Sequence, residues 1–196
     1  MKKLFSIILL ILIGFTSNLF SEDGKSIKRI SEGNRNAKIT IITYESLTCS
    51  HCADFHKNVY PDLKKDFIDK GLVKIEFRNF PLDIAAFNAS KIGQCNNDGN
   101  PNILNILYAG QKKWARGKTP EEATKYLKNF LEDEGVDMDF EKCINDKIIE
   151  DYVLNDRIEG VKKFKVNATP TIIINNKKFD KALNYKNLKK YLQKLI

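Results

Sequence analysis

The chain is short of the residues from which metal and haem centres are made. Four cysteines and two histidines stand among 196 residues. A structural zinc ion takes four such ligands. Besides Cys49 and Cys52 it would have to draw on His56 with Cys95 or Cys143, at spacings that match no common finger. Haem attachment needs a histidine directly after the second cysteine of a C-x-x-C pair, and Ala53 holds that place. Neither a metal nor an organic cofactor is therefore expected. Arginine is sparse and no basic run is interleaved with aromatics. The net charge of +8 thus reads as a solvated lysine-rich surface, and nucleic acid is not an expected partner. Internal repeats and low-complexity segments are lacking too. With 42% hydrophobic residues the chain can build one real core, with room for a sizeable insertion.

The apolar run from Leu4 to Phe15 is too short for a comfortable membrane span, which needs ~20 residues. It follows Lys2 and Lys3, so residues 1–21 are expected to be a secretory signal, cleaved after Ser21. An uncleaved anchor is the alternative, and no cysteine at the junction marks a lipoprotein. Removal of the segment takes two lysines and lowers the net charge to about +6. In an exported protein disulfides persist, so four cysteines can make two bridges, or one bridge and one reactive pair.

After a polar leader (22–36), Lys38 to Tyr44 reads as a buried strand rich in β-branched residues. Cys52, Phe55, Val59, Leu63 and Phe67 then recur at helical spacing, with Pro61 expected to kink the helix and Gly71 to close it. Val73, Ile75 and Phe77 alternate with charges, as in a strand with one wet face. Strand, helix, strand is a βαβ unit with parallel strands. The next stretch is helical. One helix is expected from a cap at Asp83 to about Asn96, another through Ile103, Leu104, Leu107 and Trp114, and a third from Thr119-Pro120 to Gly135. A short helix holds Phe140, Cys143 and Ile144, and a last one ends near Lys163. Strand signals return at Thr171 to Ile174, Asn175-Asn176 makes a tight turn into a second strand, and Leu188, Leu192 and Leu195 lie on a final amphipathic helix. The fold class is α/β: a β-α-β piece and a β-β-α piece share one sheet, and an all-helical block is inserted between them.

The chemistry is expected at Cys49-Ser50-His51-Cys52, where a strand gives way to a helix. Thiolate, not thiol, is the nucleophile, and uncapped N–H groups and the helix dipole at that position favour the anion. His51 can add a positive charge or a donor. Cys49 is the exposed, attackable sulfur and Cys52 the buried resolving one. A lowered thiol pKa stabilises the reduced form and makes the disulfide the better oxidant. The rival readings are half of a zinc site and a purely structural bridge, which a two-residue gap at a helix start would strain.

The segments ITYES, LTCSHCADFH, FRNFPLD and VNATPTIIINNKKF resemble the DsbA-like branch of the thioredoxin fold, from about residue 37 to the C-terminus. The resemblance implies a thioredoxin-like domain (37–81 and 164–196) with a helical insertion (82–163). It implies that Thr169-Pro170 is a cis-proline loop lying against the cysteine pair and holding substrate by backbone hydrogen bonds. It also implies thiol–disulfide exchange with unfolded or reduced exported proteins in the periplasm, with a membrane partner of the DsbB type restoring the disulfide. Ser50 and Thr169 depart from the best-known member, which has proline and valine there, and are expected to modulate the potential.

Cys95 and Cys143 are a candidate structural disulfide closing a loop of about 49 residues and contributing ~4 kcal/mol on the chain-entropy model. Two free thiols or a second redox pair are the alternatives. His56 reads as a helix-surface histidine and Glu45 as a solvent-side or capping glutamate, the alternative being an acid beneath the cysteine pair that accepts its proton. Trp114 reads as core or groove wall. The expectation is a monomeric, exported oxidase. A periplasmic reductase or isomerase using the same cysteines is the first alternative, and a peptide-binding chaperone without redox role the second.

Overall fold

In the computed structural model, residues 27–95 and 97–196 are described; the expected signal segment 1–21 lies outside them. The leader is not wholly irregular. Its Ser31–Gly33 forms a short strand, β1, antiparallel on the sheet edge beside Val73–Asn79, β3. The pattern is too short and too polar to read as a strand, and only the open edge of β3 orders it. The centre of the sheet is β2 (Ile39–Glu45), parallel to β3 with Ile39 opposite Val73. On its other side β2 runs antiparallel to β4 (Thr171–Ile174), which pairs with β5 (Lys177–Lys178). The order is β1-β3-β2-β4-β5. Asn175 and Asn176 turn β4 into β5 with φ of 46° and 65°, the paired positive values of a tight hairpin turn.

The helix after β2 is broken where proline removes an N–H. α1 covers Ser50–Asn58, α2 restarts at Tyr60–Leu63 with Pro61 in its first turn, and a π-helical turn at Lys64–Ile68 leads to Gly71. The helical block comprises α3 (Ile84–Gln94), α4 (Asn102–Ala109), α5 (Gln111–Trp114), α6 (Pro120–Asp133), α7 (Phe140–Asn145) and α8 (Lys147–Phe164). The single helix expected through Ile103 and Trp114 is two, parted at Gly110. A Cβ at Gly110 would stand 2.0 Å from the Phe130 ring, so the close packing of α6 occupies that space. The last helix, α9, spans Tyr185–Leu192 and leaves Leu195 exposed beyond it.

β2 is covered on both faces, with six of its seven residues buried. α1 and α2 lie on one face. α8 lies across the other, close enough that a Cβ at Gly160 would come within 2.7 Å of the Tyr44 ring. There Asp156, buried on α8, accepts from Arg29 at 2.7 Å and from the Asn79 backbone at 3.0 Å, tying helix to sheet. One apolar cluster runs from the sheet, through Ile41 and Ile75, into the helical block at Trp114, Leu127 and Phe130. Burying a side chain of this size contributes roughly 1.5–3 kcal/mol. The end of β2 and the start of α1 are thereby clamped from both sides.

Candidate active site

Cys49 occupies the N-cap of α1 with extended backbone (φ −76°, ψ 121°), and no side chain caps the helix. Its carbonyl accepts from Cys52 N at 3.1 Å and Ala53 N at 3.2 Å, leaving the first-turn N–H groups to face the sulfur. The side chain is half-buried, and its Sγ donates to the Thr169 carbonyl at 3.4 Å. Cys52, one turn in, is completely buried. Both are thiols in this structure, and the environment separates their acidities. Hydrogen bonding from Cys52 brings Cys49 down from 9.0 to about 5; burial opposes, while Thr169 and the backbone N–H groups of Cys52 and His51 assist. Burial pushes the Cys52 thiol far up, as do its hydrogen bond to Cys49 and the charge of Glu45.

The peptide bond between Thr169 and Pro170 is cis and stands directly before β4, which runs beside β2. That pairing brings residue 169 to the sulfur of residue 49. The Thr169 hydroxyl is buried without a partner in this thiol state. Thr169, Pro170, His51, Leu183 and Tyr185 line a groove of about 570 Å³ alongside the cysteine pair. Ser50 and His51 are exposed on the first turn of α1. His51 helps hold the Cys49 thiolate through its main chain, and its ring forms groove wall. Away from the groove, Cys95 and Cys143 are bonded, joining the end of α3 to α7 with Cα atoms 5.5 Å apart.

Two expectations are corrected. His56 is not on the surface: it is 9% exposed, stacked on Tyr108 with ring centroids 4.0 Å apart, because α4 packs over that face of α1. Glu45 is neither solvent-facing nor a cap. It is 5% exposed and accepts from Thr43 Oγ1 at 2.7 Å, and its Oε2 lies 2.8 Å from His56 Nε2. Trp114 is fully buried and donates to the Leu107 carbonyl at 2.8 Å. One contributor carried no signal in the sequence. Gln111 of α5 donates to the carbonyls of Leu47 at 2.8 Å and Cys49 at 3.0 Å, so the helical block holds the loop that presents the sulfur.

A family model described as thioredoxin matches residues 25–194. The chain belongs to the thioredoxin family. Within the family it is DsbA-like. Alpha-DsbA1 of Wolbachia pipientis is 29% identical and superposes with a TM-score of 0.76 over 85% of this chain and 90% of that one. BdbD of Bacillus subtilis, at 23% identity and a TM-score of 0.66 over 85% and 91%, shares the thioredoxin-like fold with its helical insertion. In sequence, a Rickettsia bellii protein named as a protein-disulfide oxidoreductase is 30% identical over 151 residues, 73% of this chain and 55% of that one. Disulfide bond formation protein D of Bacillus subtilis is 25% identical over 175 residues, 83% and 74% of the two chains. This thioredoxin-family chain spans about half the length of the rickettsial relatives it matches.

Proposed function

We propose that the protein is an exported thiol:disulfide oxidoreductase that introduces disulfides into reduced exported proteins in the periplasm through Cys49 and Cys52. The observation that carries the reading is the opposed acidity of the two sulfurs. Cys49, at about 5, is a thiolate at neutral pH and a good leaving group, while Cys52 favours the neutral thiol. In the disulfide form, a substrate thiolate attacks Cys49 Sγ, the S–S bond opens, and Cys52 departs and takes a proton. A second substrate thiolate then attacks the substrate's own sulfur in the mixed disulfide. Cys49 leaves as thiolate with the electron pair, so the substrate is oxidised by two electrons and the protein reduced. Stabilising that thiolate favours the reduced protein and therefore makes the disulfide oxidising.

Thr169 and Pro170 are assigned to substrate backbone binding and the neighbouring groove to flanking side chains, and Ser50 and Thr169 tune the pair. Names among the relatives that refer to disulfide bond formation favour the oxidising direction. Recycling then needs an oxidising membrane partner of the DsbB type. The test is the reduction potential of Cys49/Cys52 against glutathione at pH 7. A value well above the ~−180 mV of protein disulfide isomerase is expected, and a value near thioredoxin's ~−270 mV would instead make the protein a reductase. Failure to titrate reversibly would remove the redox reading altogether.

A further inference from the structure

The opening of the Cys49–Cys52 bond sends a leaving group into the core. Cys52 has no exposed surface, and burial together with the Glu45 charge disfavours its thiolate, so it needs a proton that solvent cannot hand to it directly. A buried carboxyl and a buried imidazole lie in that region. Glu45 ends β2, and His56 stands one turn beyond Cys52 on α1, with Nε2 and Oε2 2.8 Å apart. The other ring nitrogen, His56 Nδ1, is buried with no hydrogen-bond partner among the described residues. A phenyl ring would stack on Tyr108 equally well and leave no ring nitrogen unpaired, and an unsatisfied buried nitrogen costs free energy. His56 also forms part of the wall of a cavity of about 700 Å³ between α1–α2 and α4–α5. The imidazole thus stands between a buried carboxylate and a cavity that water can enter, with one nitrogen engaged and the other buried without a partner among the described residues.

We infer that His56 is the proton shuttle of the redox site, carrying protons between the cavity and Glu45, which exchanges them with Cys52. The inference rests on the oxidoreductase reading above. When a dithiol substrate opens the disulfide, the Cys52 sulfur takes a proton relayed through the Glu45 carboxylate, across a bridging water because no hydrogen bond joins the two groups directly among the described residues. His56 Nε2 hands that proton to Glu45 as Nδ1 takes one from a water admitted from the cavity, so the imidazole stays neutral. No electron passes through the pair; both electrons stay with the sulfurs. On reoxidation the sequence reverses, and Cys52 loses its proton before it attacks the mixed disulfide at Cys49. The groups facing the imidazole are Glu45 from β2, Tyr60 from α2 and Tyr108 from α4, whose phenol also lies against Glu45; β3 contributes only Phe77. The cavity wall carries Asp54 and Lys57 of α1, Lys64, and Lys112 and Lys113 of α5.

The test compares wild type, His56→Gln, which keeps a donor towards Glu45 but cannot take up and pass on a proton, and His56→Ala. Each is reduced in single turnover by dithiothreitol from pH 5 to 9, with the Cys49 thiolate followed by ultraviolet absorbance. For His56→Gln the rate at pH 7 is expected to fall roughly tenfold or more, while the equilibrium constant with glutathione changes less than threefold. In His56→Ala, added imidazole should restore the rate, and pyrazole, of similar shape but hardly basic, should not. A wild-type pH–rate profile in His56→Gln, or equal rescue by both azoles, would overturn the shuttle and leave His56 a packing residue. Failure of the wild-type pair itself to titrate against glutathione would instead sink the oxidoreductase reading, so the two failures are distinguishable.

Discussion

Cys49 and Cys52 stand three residues apart at the mouth of a helix, one half-buried and one fully buried, with their acidities driven in opposite directions. Cys95 and Cys143 stand 48 apart and join two helices of the inserted block, and both pack with the same apolar cluster that holds Cys52. The same atoms thus meet two kinds of surroundings. In the first pair the helix N-terminus, a neighbouring thiol and Thr169 all stabilise the anion, so the reduced state is favoured. In the second, apolar packing offers a thiolate nothing and the bond closes a long loop. Whether a cysteine pair exchanges or merely holds is decided by what stabilises its thiolate and by how much chain it closes.

The largest effect that could break this comparison is expected from Cys49→Ser. Exchange with dithiol substrates should drop to the uncatalysed rate, read by oxidation of a reduced model protein. Retained activity would mean that the reactive sulfur lies elsewhere. Next in size, replacing Cys95 and Cys143 together with alanine should lower stability by about 4 kcal/mol in urea unfolding of the oxidised protein. The Cys49 thiolate should still titrate at about 5. A moved titration would show that the second pair reaches the redox site.

A smaller, pH-dependent effect follows from the depressed acidity of Cys49. Because its folded value of about 5 lies below its ordinary 9.0, the reduced fold gains stability that is complete above 9 and lost as pH falls through 5. The oxidised fold has no such group. Thermal unfolding of the two forms should therefore show the reduced form gaining on the oxidised one between these limits, and parallel curves would contradict the assignment. Smallest is Thr169→Val. It removes the one side chain from outside α1 that assists the anion, and should move the absorbance midpoint upward by roughly half a pH unit.

Much of the site was legible because its logic is local. A β-branched run, two cysteines three apart and a helical period beginning at the second locate the thiolate without any tertiary contact. The Asn175-Asn176 turn and the break at Pro61 are backbone chemistry and were legible for the same reason. The leader strand β1 was not, since three polar residues become a strand only beside the open edge of β3. Gln111 was not either, because a lone glutamine on a short helix says nothing about the carbonyls it will reach.

The sequence by itself therefore determined the reactive pair, its polarity and, apart from the break at Gly110, the order of strands and helices from β2 onward, since each depends on residues within a turn or two of one another. The tertiary structure alone decided that Glu45 and His56 face each other in the core. One-residue facing at a strand end cannot be read from alternation, and α4 had to arrive before the histidine had a cover. It also decided that Thr169 would meet a sulfur 120 residues away, through pairing of β4 with β2. Contacts so distant in the chain depend on the register of a sheet and the packing of an inserted block, and no short stretch of sequence contains either.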